Sequence, residues 1–227
     1  MPSPHYFRSS VANILDVLGD AGVFLLWNRV GLEESEGISR ISWLPPAPGE
    51  LFRLAGDRLD SYAAWVSANA FSGLLFDGAL IQLTWSIAAG DVIGHRLAYV
   101  PCPLILDQEL LRTEPVLDVW ELARDSPRPD IVLRGAVRFD YDPVAAKPGH
   151  PASHFTFGDP ETRIPVAYPL GPNEFIRFVF RNFYPDVWNR MEYLRTLKPS
   201  FEWSKTLLDE EHEEVHLRWE QYPSTFR

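Results

Sequence analysis

One segment in the second half of the chain, RFDYDPVAAKPGHPASHFTFGD, holds the densest group of side chains that can transfer protons or bind anions. Arg138, Asp140 and Asp142 alternate along a run that is typical of a β-strand, and alternate residues of a strand project to the same face. His150 and His154 follow after a loop rich in proline and glycine. If that loop folds back over the strand, the five side chains meet, and we predict them to be the catalytic residues of a candidate site.

Two imidazoles, two carboxylates and a guanidinium suit the cleavage of a phosphodiester. One histidine accepts a proton from the nucleophile while the other donates to the leaving group, and Arg138 stabilises charge on the phosphate. Asp140 and Asp142 orient the histidines or, together with them, hold a divalent metal ion. The alternative is structural: the aspartates begin a turn, and the histidines hydrogen-bond the backbone of a proline-rich loop.

A second motif lies further along, where His212, Glu213 and His216 match the H-E-x-x-H pattern of zinc peptidases. In a helix, two histidines four residues apart share a face and reach one zinc ion. The run is highly charged, however, a third ligand is not evident, and EEVHLRW also alternates as a strand would. We therefore predict a solvated acidic face on a terminal element. The apolar residues expected to anchor that element are Val215, Leu217 and Trp219.

The formal charge of −10 and a pI of about 5.0 disfavour general binding of nucleic acid, because a globally acidic protein repels phosphates. The charge is uneven: residues 124–198 hold eleven Lys and Arg against nine Asp and Glu, a net of +2, which leaves −12 for the rest. Nucleic acid is therefore expected to bind only locally, near residues 124–198. Arg177 and Arg181, four apart on a predicted helix, could grip a phosphate. The aromatic residues around them either stack bases or, as we favour, belong to the core: Phe175, Phe178, Phe180 and Tyr184.

Hydrophobic periodicity and turn residues predict the elements that must position these groups. Helices are predicted over residues 6–18, 57–71, 106–124, 171–184 and 186–197, strands over 23–30, 37–44, 79–87, 92–100, 131–142 and 153–158, and a loop over 45–50. The acidic run LEESEG is predicted to be the turn between the first two strands. This order does not alternate strand with helix, so we expect one α+β domain over residues 1–227, with a mostly antiparallel sheet flanked by helices.

The clearest local signal is a hairpin, in which ALIQLTWSI and VIGHRLAYV are joined by Ala88-Ala89-Gly90-Asp91. In its second strand, residues two apart are expected to share one apolar face, which makes His95 a core histidine. The residues predicted to share that face are Ile93, His95, Leu97 and Tyr99.

Composition favours a folded protein of the cytoplasm. The apolar fraction is 46%, which is ample for a packed core. Cys102 is the single cysteine, so an intramolecular disulfide is excluded, in keeping with a reducing compartment. The first residues lack the pattern of a signal peptide, and no apolar run approaches the roughly 18 residues that span a membrane. We expect a cytoplasmic protein without membrane association.

Several sequence blocks together resemble a family of bacterial proteins catalogued only as a domain of unknown function. In order they are LLFDGALIQLTW, HRLAYVPCPL, RFDYDP, GHPASHFTFG and RIPVAYPLGPNEFIRFVFRNFYP. The family resembles accessory genes of sporadic distribution in mobile or anti-phage loci, which implies defence or toxin–antitoxin biology. One block is also similar to the Arg/Asp/His-rich core of small toxin families, through Arg138, Asp140, Asp142, His150, Ser153 and His154.

Two functional hypotheses follow. The first is a nuclease-like or nucleotide-processing enzyme of a bacterial defence or toxin–antitoxin module, which acts on phosphodiesters, with or without a divalent metal, and works with a protein partner encoded nearby. The second is a non-catalytic, partner-binding subunit or an immunity protein, because an acidic surface suits mimicry of nucleic acid or binding to a basic toxin.

Overall fold

A computed structural model describes residues 3–45, 58–158, 161–201 and 203–219. The helices are α1 (Pro4–Asp20), α2 (Arg58–Ser67), α3 (Val116–Arg124), α4 (Pro172–Phe183), α5 (Pro185–Arg190), α6 (Glu192–Thr196) and α7 (Asp209–His212), with a 3₁₀ turn at Leu110–Arg112. The strands are β1 (Phe24–Trp27), β2 (Val30–Ser35), β3 (Ile38–Trp43), β4 (Gly73–Leu75), β5 (Leu80–Ala88), β6 (Asp91–Val100), β7 (Val137–Tyr141), β8 (Ser153–Phe157) and β9 (Ile164–Pro165). These strands form one sheet whose ladders are all antiparallel, which confirms the predicted α+β class.

The sheet runs in the order β1-β4-β5-β6-β7-β8-β9. Strand β5 pairs along one edge with β4 at its start and with β3 at its end, and β2 lies outside β3. The predicted β5–β6 hairpin is confirmed. Its turn residues Ala89 and Gly90 both have positive φ, at 50° and 86°, which is the backbone that a two-residue hairpin turn requires.

Helices cover the sheet on both faces. Side chains such as Leu83, Leu97 and Phe139 point to the face that packs against α1 and α4, called here the α4 face. Their neighbours, such as Leu80 and Ala98, point to the opposite face, where α2 and α3 pack, called here the α3 face. The alternation that predicted half-buried strands thus supplies two apolar layers.

Helix α1 forms where the sequence predicts it. Ser3 caps it by accepting a hydrogen bond from the Tyr6 amide at 3.3 Å, and Pro4 occupies its first turn. Its buried residues are the five predicted from helical spacing: Phe7, Val11, Ile14, Leu15 and Leu18. Helix α4 likewise begins at Pro172 and buries Phe175 and Val179, as predicted. Both helices therefore hold the α4 face with apolar stripes of helical period.

The prediction for the first hairpin was wrong. LEESEG is not a turn, because Leu32 to Ser35 belong to β2, which pairs with β3 through a turn at Glu36-Gly37. Strand β1 pairs with β4 instead. The glutamates of β2 are exposed, so a charged run lies on the solvent side of a strand.

Several predicted bounds also change. The strand predicted over 131–142 begins only at Val137, and of the helix predicted over 106–124 only Val116–Arg124 forms an α-helix, α3. The loop predicted over 45–50 lies outside the described residues beyond Pro45. Within the described ranges, no helix is long and apolar enough to cross a lipid bilayer.

Candidate functional site

A row of polar side chains crosses the sheet on the α3 face, beyond the part that α2 and α3 cover. The register aligns Thr84 of β5 with Arg96 of β6, Arg96 with Asp140 of β7, and Asp140 with His154 of β8. Arg138 lies two residues from Asp140 on the same strand and therefore on the same face. Four strands thus place these groups side by side.

Asp140 is the centre of the row. Its Oδ1 accepts a hydrogen bond from Arg96 Nε at 2.8 Å, and its Oδ2 accepts one from Arg138 Nε. His154 Nε2 lies 3.5 Å from Oδ2. Burial alone would raise the pKa of the Asp140 carboxyl, but the hydrogen bond to His154 and the charges of Arg138 and Arg96 outweigh it and hold that pKa well below its usual range. Asp140 is therefore a permanent anion that fixes its neighbours, and it is too weak a base to accept protons.

His154 is also fixed. Its side chain is buried, and its Nδ1 donates a hydrogen bond to the Pro151 carbonyl at 3.0 Å. With one ring nitrogen on the backbone and the other facing Asp140, the ring has no open position for a substrate. One alternative predicted from the sequence was that the histidines hydrogen-bond the backbone of the loop. His154 does so.

His150 differs from His154 because its ring is only partly buried. Its backbone is held by two hydrogen bonds with Lys147, at 2.8 and 3.1 Å, and its ring centroid lies 5.1 Å from that of His154. Partial burial and the charges of His154 and Arg163 lower the pKa of His150. At neutral pH it is therefore an uncharged imidazole that can accept a proton.

Asp142 was predicted to share the face of Arg138 and Asp140 on one strand. It lies beyond the end of β7 instead, so it does not extend the polar row. Its carboxylate Oδ1 accepts hydrogen bonds from the Val144 and Ala145 amides, both at 3.1 Å. That geometry is an Asx turn, which opens the loop leading to His150. Of the two aspartates, only Asp142 begins a turn.

A cavity of about 450 Å³ opens above the row. All five predicted site residues line it, together with Arg96 and Arg163. Its wall thus carries three arginines and three histidines, His95 included, against two aspartates, in a chain whose formal charge is −10. The sequence did not predict Arg96 as a site residue. The hairpin that contains it was predicted, but its position beside Asp140 depends on the pairing of β6 with β7, which the sequence does not reveal.

The arrangement does not fit a metal ion. Among the residues that the structure describes, no group of three or more His, Cys, Asp or Glu side chains is placed to hold one. Both oxygens of Asp140 already contact cationic side chains, which would repel a metal.

His212 and His216 do not form a zinc helix. Helix α7 ends at His212, and the His216 Nδ1 donates to the Glu214 carbonyl at 3.0 Å instead. Leu217 anchors this segment through a bridge to Val166, as predicted, but Val215 is 81% exposed and anchors nothing. The predicted solvated acidic face is therefore correct, and its predicted apolar side is wrong at Val215.

His95 lies on the opposite face of β6 from Arg96. It is buried, and its Nε2 accepts a hydrogen bond from the Leu170 amide at 2.9 Å. Burial lowers its pKa to about 4, so it is a neutral core histidine, as predicted.

The fold and site define a class: an α+β protein with a broad antiparallel sheet that carries an arginine-rich cavity on one face. Residues 28–219 match the family described as "Uncharacterized conserved protein (DUF2290)". The chain belongs to that family, which agrees with the resemblance to a domain of unknown function. Comparisons with curated proteins and with solved structures found no match.

Proposed function

We propose that the protein binds a phosphate ester in the cavity on the α3 face and hydrolyses a phosphodiester bond there. The observation that carries the proposal is the pairing of Arg96 and Arg138 with one buried carboxylate at the floor of an open, histidine-lined cavity. A guanidinium that is held before the ligand arrives loses less conformational entropy on binding.

The arginines bind the phosphate. Arg96 contacts Asp140 through Nε, so its two terminal nitrogens are not used in that ion pair. Its side chain is 39% exposed and lines the cavity. Guanidinium groups match phosphate oxygens in geometry and charge, and they stabilise the charge that develops there during transfer. Asp140 and His154 act through the arginines, as positioning residues.

His150 transfers the proton. A water molecule attacks phosphorus while the neutral His150 ring accepts one of its protons. The bond from phosphorus to the leaving oxygen breaks, and that oxygen takes a proton from solvent, because His154 is locked between Pro151 and Asp140. The sequence predicted that one histidine acts as a base and the other as an acid. In the proposed mechanism only His150 transfers a proton, as a base.

The test uses the whole chain with three labelled probes: single-stranded RNA, single-stranded DNA and a dinucleotide. We expect His150→Ala to slow cleavage by about 100-fold or more, with recovery on addition of imidazole. Arg96→Gln should also slow it by about 100-fold. The matched control is Arg112→Gln, an exposed arginine of the 3₁₀ turn whose side chain is 69% exposed.

The pH profile gives a second readout. Because the base form of His150 is required and its pKa is lowered from the ordinary value of about 6.5, the midpoint of the acidic fall in rate should lie below that value, with a plateau at neutral and alkaline pH. Wild-type cleavage of none of the three probes, or full activity in His150→Ala, would overturn the proposal.

The biological setting is part of the same proposal and rests on the resemblance alone. We infer that the protein acts in a bacterial anti-phage or toxin–antitoxin module together with a partner encoded nearby. Expression of the module should then lower phage plaque counts, and His150→Ala should remove that protection. Equal plaque counts with and without the module would contradict it.

A second candidate, a partner-binding subunit, is favoured by one surface. Two segments joined by the Leu104–Ile131 bridge expose three large aliphatic side chains, which are Ile105 (64%), Ile131 (63%) and Leu133 (92%). Large exposed apolar side chains on neighbouring segments suit a protein contact. A partner that co-purifies with the wild type should be lost in Leu133→Lys and kept in Val144→Lys, whose residue is 94% exposed elsewhere. Retention in both variants would exclude this surface.

A further inference from the structure

A second, larger cavity lies on the α4 face. It has a volume of about 870 Å³ and lies between α4, α6 and the segment around Arg218. Phe139 contributes to its wall, whereas its neighbour Asp140 lines the first cavity. Consecutive residues of a strand point to opposite faces, so the two cavities are separated by the sheet.

The second cavity is rich in basic residues, although the chain as a whole is acidic. Its basic residues are Arg177, Arg181, Arg195, Lys198 and Arg218, and its acidic one is Glu174. Glu174 faces Ser200, which gives its carboxylate hydrogen bonds from the amide and the hydroxyl, both at 2.9 Å. Burial raises the pKa of Glu174, against the opposing effect of these hydrogen bonds.

Two of the arginines have structural tasks. Arg177 Nη1 donates to the carbonyls of Arg195 and Leu197, each at 2.9 Å, and its guanidinium stacks on Trp188. Arg195 in turn donates to the Trp188 and Asn189 carbonyls. These bonds satisfy the ends of short helices. The phosphate contact predicted for Arg177 and Arg181 together is therefore proposed below for Arg181 only, because Arg177 Nη1 is occupied by backbone carbonyls.

Arg181 and Arg218 have no such task. Both side chains are exposed at the cavity, and neither has a hydrogen bond or ion pair within the described part of the chain. The backbone beside Arg218 is fixed, because Leu217 exchanges hydrogen bonds of 2.9 Å with Pro165 and Ala167. Two unpaired cations are thus held on two separate rigid elements.

Aromatic side chains adjoin these cations. Phe178 of α4 and Trp219 are both half-buried and line the cavity. Trp219 packs edge-on to Tyr168 with ring centroids 6.2 Å apart, which limits its rotation. An aromatic surface beside two arginines suits a flat ring that carries an anionic group.

We propose that this second cavity binds a nucleotide unit, with the phosphate between Arg181 and Arg218 and the base against Trp219. The unit belongs either to a free mononucleotide or to a single-stranded nucleic acid. This site lies beyond the phosphodiester cavity, and it stands even if that cavity has no catalytic activity.

The experiment is isothermal titration calorimetry of the whole chain with AMP and with an eight-nucleotide oligo(dT), at low and physiological salt. We expect at least one probe to bind, and the double variant Arg181→Gln/Arg218→Gln to weaken its binding by tenfold or more. Trp219→Ala should weaken it too, while Trp219→Phe keeps most of the affinity. Arg112→Gln is again the matched control.

The outcomes separate the sources and the two sites. Tighter binding of AMP indicates a free nucleotide, and tighter binding of oligo(dT), with a steep salt dependence, indicates a strand. The effect should persist in His150→Ala and Arg96→Gln. The proposal is overturned by unchanged affinity in the double variant, or by dodecanoate competing as well as AMP, since an aliphatic anion needs no aromatic surface.

Discussion

Substitution of Asp140 by Asn gives the sharpest test of how the first cavity is held. The Asp140 side chain is 6% exposed, and it contacts Arg138, which is 12% exposed, and His154, which is 4% exposed. Removal of the negative charge deletes the ion pairs that Asp140 makes with Arg138 and Arg96. Such a loss is far more costly than the loss of an ion pair at the surface.

The magnitude follows from these contacts. Breaking a buried ion pair by removal of one partner costs about 3–5 kcal/mol. We expect a value near the lower end, about 3 kcal/mol, because the Asn carbonyl still accepts one hydrogen bond and Arg96 reaches solvent. For a chain of this size that corresponds to a fall in Tm of roughly 6–12 °C.

The dependence on pH gives a second readout. The folded pKa of Asp140 is depressed, so its stabilising effect is complete above the unfolded value of about 3.9 and is lost as pH falls below it. The difference between wild type and Asp140→Asn in urea unfolding should therefore be constant from pH 7 to about pH 5. It should shrink at more acidic pH.

Asp125→Asn is the control. Asp125 also pairs with an arginine, Arg124, at 2.8 Å, but its side chain is 67% exposed. Its substitution should leave the unfolding midpoint unchanged. If Asp140→Asn is as stable as this control at pH 7, the carboxylate does not hold Arg96 and Arg138, and the basis of the proposed phosphate site is gone.

Two further predictions concern the core. His95 has a pKa of about 4 in the folded protein against an ordinary 6.5, so the unfolded chain takes up a proton first as pH falls. About 3 kcal/mol of stability should therefore be lost between pH 6.5 and pH 4. His95→Gln should make the urea midpoint less dependent on pH over that range, and an unchanged dependence would contradict this. The Tyr184 hydroxyl donates to Asp77 at 2.9 Å and lies 3.1 Å from the Tyr99 hydroxyl. Tyr184→Phe should therefore lower the free energy of unfolding by about 1–3 kcal/mol. Tyr6→Phe, at a residue that is 65% exposed, should leave it unchanged in the same assay.

The sequence predicted best where one local rule governs. The five buried residues of α1 follow from helical spacing alone, and the β5–β6 hairpin follows from two alternating runs around a turn. Helix α4 begins at Pro172 for a similarly local reason. These features need no information about distant parts of the chain.

Ile93 shows where alternation fails. It was predicted to share the apolar face of Leu97, but it is 37% exposed. The register shifts between Ser86 and Ile87, so that Val92 takes the buried position opposite Ile87. A bulge adds one residue and reverses the faces beyond it, and nothing in the local pattern marks it.

The sequence predicted that five side chains lie close together, but not how each of them is held. All five predicted residues line one cavity. Their roles depend on partners from other strands: Arg96 comes from β6, and His154 is held by Pro151. Burial and pairing of this kind arise only from tertiary structure, so spacing alone did not distinguish the buried His154 from the partly exposed His150.

The polar row has a consequence for motion. A slip of β7 by one residue would move Phe139 into the cavity and Asp140 into the apolar core, so the register that packs the core also fixes the arginines. Arg96, Arg138 and Asp140 are therefore as rigid as the centre of the sheet. His150 alone of the proposed reacting groups lies on a loop. In the proposed mechanism, adjustment to substrates of different shape is thus confined to His150, which moves the proton, while the arginines proposed to hold the phosphate stay in place.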